Sequence, residues 1–189
     1  QLILKKLEAL EAATKLIIVE NEEGEKIEKV VPKSEFIRTM ATFPVKNNIP
    51  DENYAWVSNG IWLGVECDLS QEVFIYNKSQ KVLEKLMEAG FHSRFGSAPM
   101  NLKRSISQDL QVKYFVDMEL DLNENSEFVV TSNLYKTEDG KLQVSHRFIN
   151  KDIFSIIDDI TLQLRKDLDI PEGASEDLPI QDMLTESID

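Results

Sequence analysis

The side chains with the greatest chemical capacity in this chain are its two histidines, His92 and His146, and its single cysteine, Cys67. They lie far apart in sequence, and neither histidine has a partner at the spacing of a metal site. His146 shares strand parity with Leu142 and Phe148, so we expect it to be a hydrogen-bonded residue of the core. We therefore expect a fold that holds no metal.

Other reactive groups are equally sparse. Cys67 stands between Glu66 and Asp68, and neighbouring carboxylates raise the pKa of a thiol, so we expect it to be unreactive. The chain has no G-x-S-x-G motif, and its seven glycines are scattered rather than gathered in a phosphate loop. The sequence predicts no catalytic residue and no cofactor, and we expect a protein that is not an enzyme.

The loop HSRFGSAPM offers the best candidate for a functional surface. It contains His92, Arg94 and Phe95, which we take as a candidate interaction loop because binding residues concentrate on loops. An alternative is a small-ligand sensor, whose pocket would be lined by the loops Asn47–Asn53 and Phe91–Ala98.

Composition and charge narrow the class of partner. With 189 residues and 42% hydrophobic residues, the chain can bury one core of ordinary size. A formal net charge of −13 repels phosphate backbones and anionic lipid, so we expect no nucleic acid partner. No apolar run is long enough to span a bilayer. A membrane would be reached only through an anchor outside this segment.

The elements around these residues alternate between strands and helices. Alternating residues from Val112 to Leu122 predict a long strand, the first of a three-stranded meander. Asp139-Gly140 supplies the turn before the third strand, and Asp152 caps a helix whose apolar residues recur at helical spacing. The other predicted elements are strands at Ile37–Val45, Val73–Asn77, Glu127–Tyr135 and Leu142–Ile149, and helices at Tyr54–Leu69, Gln80–Ala89, Pro99–Leu110 and Ile153–Leu168. We expect Val73–Asn77 to be a central strand because it is nearly all apolar.

Two glycines on the first of these helices lie one turn apart. Gly60 and Gly64 are best explained by close approach of the helix to the sheet rather than by a helix dimer motif. At Gly90, a glycine followed by Phe91 predicts a Schellman stop. The fold class is therefore α/β, with helices packed on a mixed sheet of about five strands and an additional N-terminal helix.

We divide the chain into three parts. Residues 1–34 form an N-terminal helix and a hairpin, residues 35–170 the α/β domain, and residues 171–189 a linker and the start of a helical, repeat-like segment. The first helix is either a short coiled-coil seam or a helix docked on the domain. Since both ends stop inside apolar patterns, we expect a segment of a longer protein that forms weak homodimers.

The order of these pieces resembles the TolB amino-terminal-like domain. The matching segments are Phe43–Asn47, Trp56–Gln71, Leu83–Gly90, Ile106–Val116 and Leu134–Leu168, and they cover roughly residues 37–170. The resemblance implies a compact mixed-sheet module, related in shape to anticodon-binding domains and generally non-enzymatic. It also implies a larger bacterial protein, with tetratricopeptide repeats after the domain, because Asp177–Ile188 resembles the lead-in to such repeats.

The expected function is a non-catalytic sensory, scaffolding or protein-interaction module that binds a protein or positions the adjacent helical repeats. A periplasmic or membrane-anchored extracytoplasmic location follows from the resemblance, with a cytoplasmic one as the alternative. Further alternatives are an accessory domain of a signalling kinase or cyclase, and an enzyme whose site is completed by another domain.

Overall fold

A mixed β-sheet covered on both faces by helices forms the body of the molecule. The computed structural model describes residues 17–20, 26–29, 37–72, 74–91, 98–170 and 179–181, the first two ranges by their backbone alone. The strands are β1 (Ile17–Glu20), β2 (Lys26–Lys29), β3 (Arg38–Thr42), β4 (Lys46–Asn47), β5 (Ile75–Asn77), β6 (Tyr114–Leu122), β7 (Phe128–Lys136) and β8 (Leu142–Asn150). The helices are α1 (Ala55–Leu69), α2 (Gln80–Glu88), α3 (Met100–Asp109) and α4 (Ile153–Asp167), and a single 3₁₀ turn (Glu52–Tyr54) precedes α1.

The main sheet has the strand order β5-β3-β6-β7-β8, with β4 also paired to β6. Strand β3 runs parallel to both β5 and β6, and the meander β6-β7-β8 is antiparallel. Strand β3 ends at Thr42, directly before Phe43-Pro44, and pairing with β6 resumes at Lys46. A mixed α/β fold is thus confirmed, with six strands in the sheet rather than five.

Alternate residues of the sheet supply two separate cores. Met40 and Val116 face α1 and α4, and they pack with Ile157 and Ile160 of α4. Ala41 and Phe115 point the other way, toward α2 and α3. This alternation follows from the two-residue period of a strand.

The predicted helix boundaries have clear physical causes. The Asp152 carboxylate accepts from the Phe154 and Ser155 N–H groups, as expected of an N-cap. Gly90 has φ +77°, and the Phe91 N–H bonds to the Leu86 carbonyl at 2.8 Å, which confirms the Schellman stop.

Strand β5 corrects one prediction, because it lies at the edge of the sheet rather than at its centre. Ile75 is buried in the core, but Tyr76 is 59% exposed on the opposite face. A short apolar run does not distinguish a central strand from an edge strand that is covered on one face.

The two glycines of α1 differ in their surroundings. A Cβ at Gly64 would lie 2.4 Å from Ile157 Cδ1 on α4, whereas one at Gly60 would meet only the Trp56 ring, at 3.7 Å. The close approach expected at both glycines therefore occurs only at Gly64, and its partner is a helix rather than the sheet.

The ends of the chain are described only in part. Strands β1 and β2 pair as an antiparallel hairpin, as predicted. The N-terminal helix lies outside the described residues, and so does most of the segment 171–189. Within that segment, however, Ile180 is fully buried in the core that contains α1 and α4. Its N–H donates to Asp158 Oδ1 at 3.0 Å. The domain boundary at residue 170 stays a prediction.

Candidate functional site

The loop proposed from the sequence cannot be placed, because His92, Arg94 and Phe95 fall within 92–97, outside the described residues. Its role stays a prediction. Of the two loops proposed to line a ligand pocket, 47–53 is described, and Asn47 is engaged there locally. Its side-chain N–H donates to the Tyr54 carbonyl and its Oδ1 accepts from the Ile49 N–H.

His146 is half-buried, and its ring Nε2 lies 3.0 Å from Asp167 Oδ2 at the end of α4. The expected hydrogen bond is present, but His146 lies at the border of the core rather than within it, because its side chain is 31% exposed. Ser132 is its neighbour across the β7-β8 ladder. A serine, a histidine and an aspartate therefore follow one another in space, as they do in a catalytic triad. Ser132 is only 4% exposed on the sheet face beneath α4, which gives a substrate no access to its hydroxyl. We interpret the His146–Asp167 pair as a structural contact.

A buried polar network joins the ends of α1 and α4. Asp68 accepts from Gln71 at 2.8 Å and from the Thr161 hydroxyl. Arg165 reaches Asp68 and Glu72, each at 3.4 Å. All five residues are buried. The network also reaches the backbone, since the Glu72 carboxylate accepts from the Phe74 N–H at 3.1 Å. The network holds the two helices together and offers no surface to a substrate.

The solvent-facing side of α1 is unusual because it carries apolar residues, as the inward side of the helix does. Each residue of an α-helix is rotated by about 100° from the one before it. This rotation places Trp56, Leu63 and Cys67 on one side of α1, within a sector of about 40° around the helix axis. Trp56 is 59% exposed and Leu63 55% exposed, and Gly60 beside them adds no side chain. We call Trp56, Gly60, Leu63 and Cys67 the α1 stripe. Exposed aromatic and large apolar side chains that lie together are typical of binding surfaces.

A groove lies between the α1 stripe and the edge strand β5. Its volume is about 480 Å³, and one wall is formed by Leu63, Glu66, Cys67 and Ser70 of the C-terminal half of α1. The other wall is formed by β5 and by Gln80 at the start of α2. We call this the edge groove.

The backbone of β5 is half paired. The Arg38 N–H bonds to the Phe74 carbonyl at 2.7 Å, and the Lys78 N–H bonds to the Met40 carbonyl at 2.8 Å. The backbone N–H and carbonyl groups of the even-numbered residues of this segment therefore point toward β3. The backbone groups of Ile75 and Asn77 point outward, away from the sheet, where an added strand could pair with them.

Ser79, which lies between β5 and α2, binds to the sheet rather than to the helix that follows it. Ser79 stands directly before α2, in the N-cap position, but its side chain makes no cap bond. Its hydroxyl oxygen instead accepts from the Thr42 N–H at 2.7 Å and lies within hydrogen-bond reach of Asn77 Oδ1. These bonds fix the C-terminal end of β5 against β3, so the groove wall is rigid.

The electrostatics of the edge groove come from Glu66 and Cys67. Burial raises the pKa of the Glu66 carboxyl above its ordinary value, and a hydrogen bond with Gln80 opposes part of that rise. Burial also raises the pKa of the Cys67 thiol, with smaller contributions from Asp68 and Glu66. The predicted direction is confirmed, although burial is the larger cause. The groove thus pairs apolar walls with one acidic group and a thiol that is less nucleophilic than an ordinary cysteine.

No metal or membrane chemistry appears in the part of the chain that the structure describes. It contains no group of three or more His, Cys, Asp or Glu side chains placed to hold a metal ion. None of the described helices has both the length and the apolar character needed to cross a bilayer.

Comparison with known proteins gives similar solved structures but no family. No family model and no curated protein matches the chain. The LpoB C-terminal domain from Escherichia coli is 12% identical with a TM-score of 0.49, covering 64% of this chain and 93% of that one. Lipoprotein GNA1162 from Neisseria meningitidis is 13% identical with a TM-score of 0.48, covering 67% and 95%.

TolB from Acinetobacter baumannii is 16% identical with a TM-score of 0.47. The match covers 70% of this chain and 28% of TolB, so it spans about a quarter of that protein. The resemblance read from the sequence therefore has a counterpart among the similar structures, while the expected repeats stay a prediction. All three TM-scores lie below 0.5 and all three identities below 25%, so we base the functional proposal on the chain's own residues.

Proposed function

We propose that this domain is a non-catalytic protein-binding module whose binding surface is the α1 stripe together with the edge groove. The observation that carries the proposal is the exposure of Leu63 at the edge groove, with Trp56 exposed two turns away on the same face of α1 and Tyr76 exposed on β5. Tryptophan and tyrosine dominate the energetics of protein interfaces, because they bury a large area at a small entropic cost.

The geometry favours an extended segment of the partner as the occupant. The outward backbone groups of Ile75 and Asn77 can pair with a short added strand. A side chain from that strand would enter the edge groove and pack against Leu63. Main-chain pairing would supply affinity, and the groove would supply selectivity.

The negative charge of this chain predicts which residue of the partner lies beside that apolar side chain. Glu66 lines the edge groove, and the chain carries a net charge of −13. A lysine or arginine of the partner next to its apolar side chain would pair with Glu66 and would approach with favourable long-range electrostatics. The proposed partner is therefore a protein with an exposed strand that combines an apolar residue with a cation.

Selection from a library of random displayed peptides tests this directly. Peptides enriched on the 189-residue chain should share the apolar–cation pattern, and Leu63→Lys should weaken their binding by about tenfold or more, measured by fluorescence anisotropy. Because Leu63 is exposed, this variant should keep its free energy of unfolding within about 0.5 kcal/mol. Leu162→Lys on α4 is the matched control, since Leu162 is 44% exposed and lies outside the groove.

Cys67 provides an independent readout. It is the only cysteine in the chain and lines the edge groove, so a bound peptide should slow its reaction with a maleimide. If no peptide is enriched, or if enriched peptides bind Leu63→Lys and Leu162→Lys with equal affinity, the edge groove is not a protein-binding site.

The wider setting is a second part of the proposal. The resemblance of residues 37–170 to the TolB amino-terminal-like domain supports a role as one module of a larger bacterial protein, in an extracytoplasmic location. Cell fractionation of the natively expressed protein would test the location. Recovery in the cytoplasmic fraction alone would contradict it.

A further inference from the structure

The strand β8 lies at the edge of the main sheet opposite to β5. It is nine residues long (Leu142–Asn150) and pairs only with β7 among the described strands. A bulge shifts the register between Leu134 and Tyr135, and the pairing then runs without a break from Val144 to Asn150. No backbone hydrogen bond from another described segment reaches the free side of this stretch. Such an edge can pair with another chain unless it is short or covered.

The neighbouring ladder shows which backbone groups of β8 are free. The Lys136 N–H bonds to the Lys141 carbonyl at 3.0 Å, so the even-numbered residues of β7 direct their backbone groups toward β8. Their partners in β8 are the even-numbered residues Val144, His146, Phe148 and Asn150. The N–H and carbonyl groups of Ser145, Arg147 and Ile149 therefore point outward, away from the sheet.

The same odd-numbered residues also present exposed side chains. Arg147 is exposed, and Ile149 is 48% exposed. Lys151 directly follows the strand at the next position of the same parity, and it is exposed as well. Because every second residue of a strand lies on the same face, Arg147, Ile149 and Lys151 form a row of cation, apolar residue and cation. We call these three residues the β8 row.

The β8 row is cationic although the protein is strongly acidic. Residues 140–151 contain Lys141, Arg147 and Lys151 but no carboxylate, whereas the whole chain has a formal net charge of −13. Lys141 pairs with Asp139 at 3.3 Å. The side chains of Arg147 and Lys151 have no ion pair or hydrogen bond with any described residue. Two such cations on either side of an exposed isoleucine are complementary to a strand with two carboxylates.

We propose that β8 binds an extended acidic segment of a partner protein, which adds one strand to this edge of the sheet. The segment pairs with the outward backbone groups of Ser145, Arg147 and Ile149. Its side chains follow the pattern acid-x-apolar-x-acid, so that each carboxylate lies opposite a cation of the β8 row and the apolar residue lies opposite Ile149. This pattern is the same in both chain directions and fits a parallel or an antiparallel added strand.

Other occupants match this edge less well. Two β8 strands paired with each other would bring the cations of both rows to one interface, and like charges on neighbouring strands are destabilising. A nucleic acid has no strand backbone to offer, and it would meet the net charge of −13 along its whole length. With a cationic partner at the edge groove and an acidic one at β8, the two edges of one sheet would select opposite charges.

The test is an NMR titration of the 189-residue chain with the peptide TETITET, capped at both ends. The peptide should give saturable shifts of the Ser145, Arg147 and Ile149 amide signals, and it should slow the exchange of these N–H groups with solvent. The peptide TKTITKT should bind at this site about tenfold more weakly or worse, because two attractions become repulsions.

Two N-methylated forms of TETITET separate backbone pairing from charge. One form carries the methyl groups on the amides of its Glu and Ile residues, and the other carries them on the Thr residues between these. Since alternate residues of a strand direct their backbone groups to opposite sides, each form blocks one edge of the peptide. One form should bind about tenfold more weakly, while the other should bind as the parent peptide does.

Arg147→Glu should reverse the charge preference, so that TKTITKT binds this site more tightly than TETITET. Lys81→Glu on α2 is the matched control, because Lys81 is exposed and the change in net charge is the same; it should leave both affinities unchanged. Leu63→Lys should also leave them unchanged, so failure of one proposal does not imply failure of the other. Acidic peptides enriched in a library selection should lose affinity with Arg147→Glu but not with Leu63→Lys.

Four outcomes would overturn the proposal. TETITET could give no saturable shifts at the β8 amide signals, both methylated forms could bind equally well, or Lys81→Glu could weaken binding as much as Arg147→Glu. If the same amide signals instead shift with protein concentration alone, a second copy of the chain occupies the edge, and the acidic partner is wrong.

Discussion

The contrast between Gly60 and Gly64 gives a matched pair of substitutions on one helix. Both residues lie in α1, one turn apart, and both can be changed to alanine. At Gly60 the new Cβ would be 3.7 Å from the Trp56 ring, an ordinary contact. At Gly64 it would be 2.4 Å from Ile157 Cδ1 and 3.2 Å from Ile157 Cγ1, and Ile157 is 1% exposed.

The expected free energies follow from these distances. Alanine is favoured over glycine inside a helix by about 1 kcal/mol, so Gly60→Ala should stabilise the domain by about 0.5–1 kcal/mol. Gly64→Ala has the same gain, but overpacking of a filled core costs about 1–3 kcal/mol. We expect it to destabilise the domain by about 1 kcal/mol net. Ile157→Val removes the clashing Cδ1 and alone should cost about 0.5–1.5 kcal/mol.

The assay is urea unfolding of all four members of the Gly64→Ala, Ile157→Val cycle, followed by tryptophan fluorescence and circular dichroism. The double variant should be more stable than the sum of the single effects by about 1–2 kcal/mol, because the valine makes room for the new methyl group. Gly60→Ala should show no coupling with Ile157→Val. If Gly64→Ala stabilises as much as Gly60→Ala, or if the cycle shows no coupling, the close approach of α1 and α4 at this point is refuted.

Three further predictions concern single contacts. Asp152→Ala should reduce the free energy of unfolding by about 1 kcal/mol at neutral pH, because the helix cap is lost. Hydrogen bonds to the Asp152 carboxylate, chiefly from the Ser155 side chain and then from backbone N–H groups, hold the pKa of this carboxyl below its usual value. Its contribution is therefore complete above the unfolded-state pKa of about 4 and should fall as the pH drops below that value, which acid titrations of both proteins would reveal. Asp117→Asn should cost about 3–5 kcal/mol in urea melts, because Lys103 would stay buried without the carboxylate that it contacts at 2.5 Å, and Lys103→Met should restore much of that loss. Ile180→Ala should cost about 2–5 kcal/mol in urea melts, as is typical of a buried isoleucine, because Ile180 is fully buried against α1 and α4. A loss below about 0.5 kcal/mol would mean that Ile180 does not anchor the chain to the domain.

Strong periodic signals were enough to predict most of the fold. The alternation of β6, the Asp139-Gly140 turn, the Asp152 cap and the stop at Gly90 are local features that the residues themselves dictate. The edge position of β5 was not predictable, because burial of Ile75 depends on which helix covers the strand and not on the strand's own composition. Tertiary placement decided that outcome.

The proposed binding surface was not evident from the sequence. The available signal was the pair Trp56 and Leu63, which lie seven residues apart and therefore on one face of α1. Their exposure depends on how α1 packs against the sheet and α4, and no local pattern records that packing.

Burial of Ile180 changes the reach of the chain beyond it. A free tether starting after Ile170 would begin ten residues earlier than one that starts at the anchored Ile180. That difference corresponds to about 35 Å of extended chain. Any module joined beyond Gln181 would be confined to a smaller volume around α4, and its effective concentration there would be higher. A single isoleucine side chain could thus determine how far a neighbouring module can travel and which surfaces of this domain it meets most often.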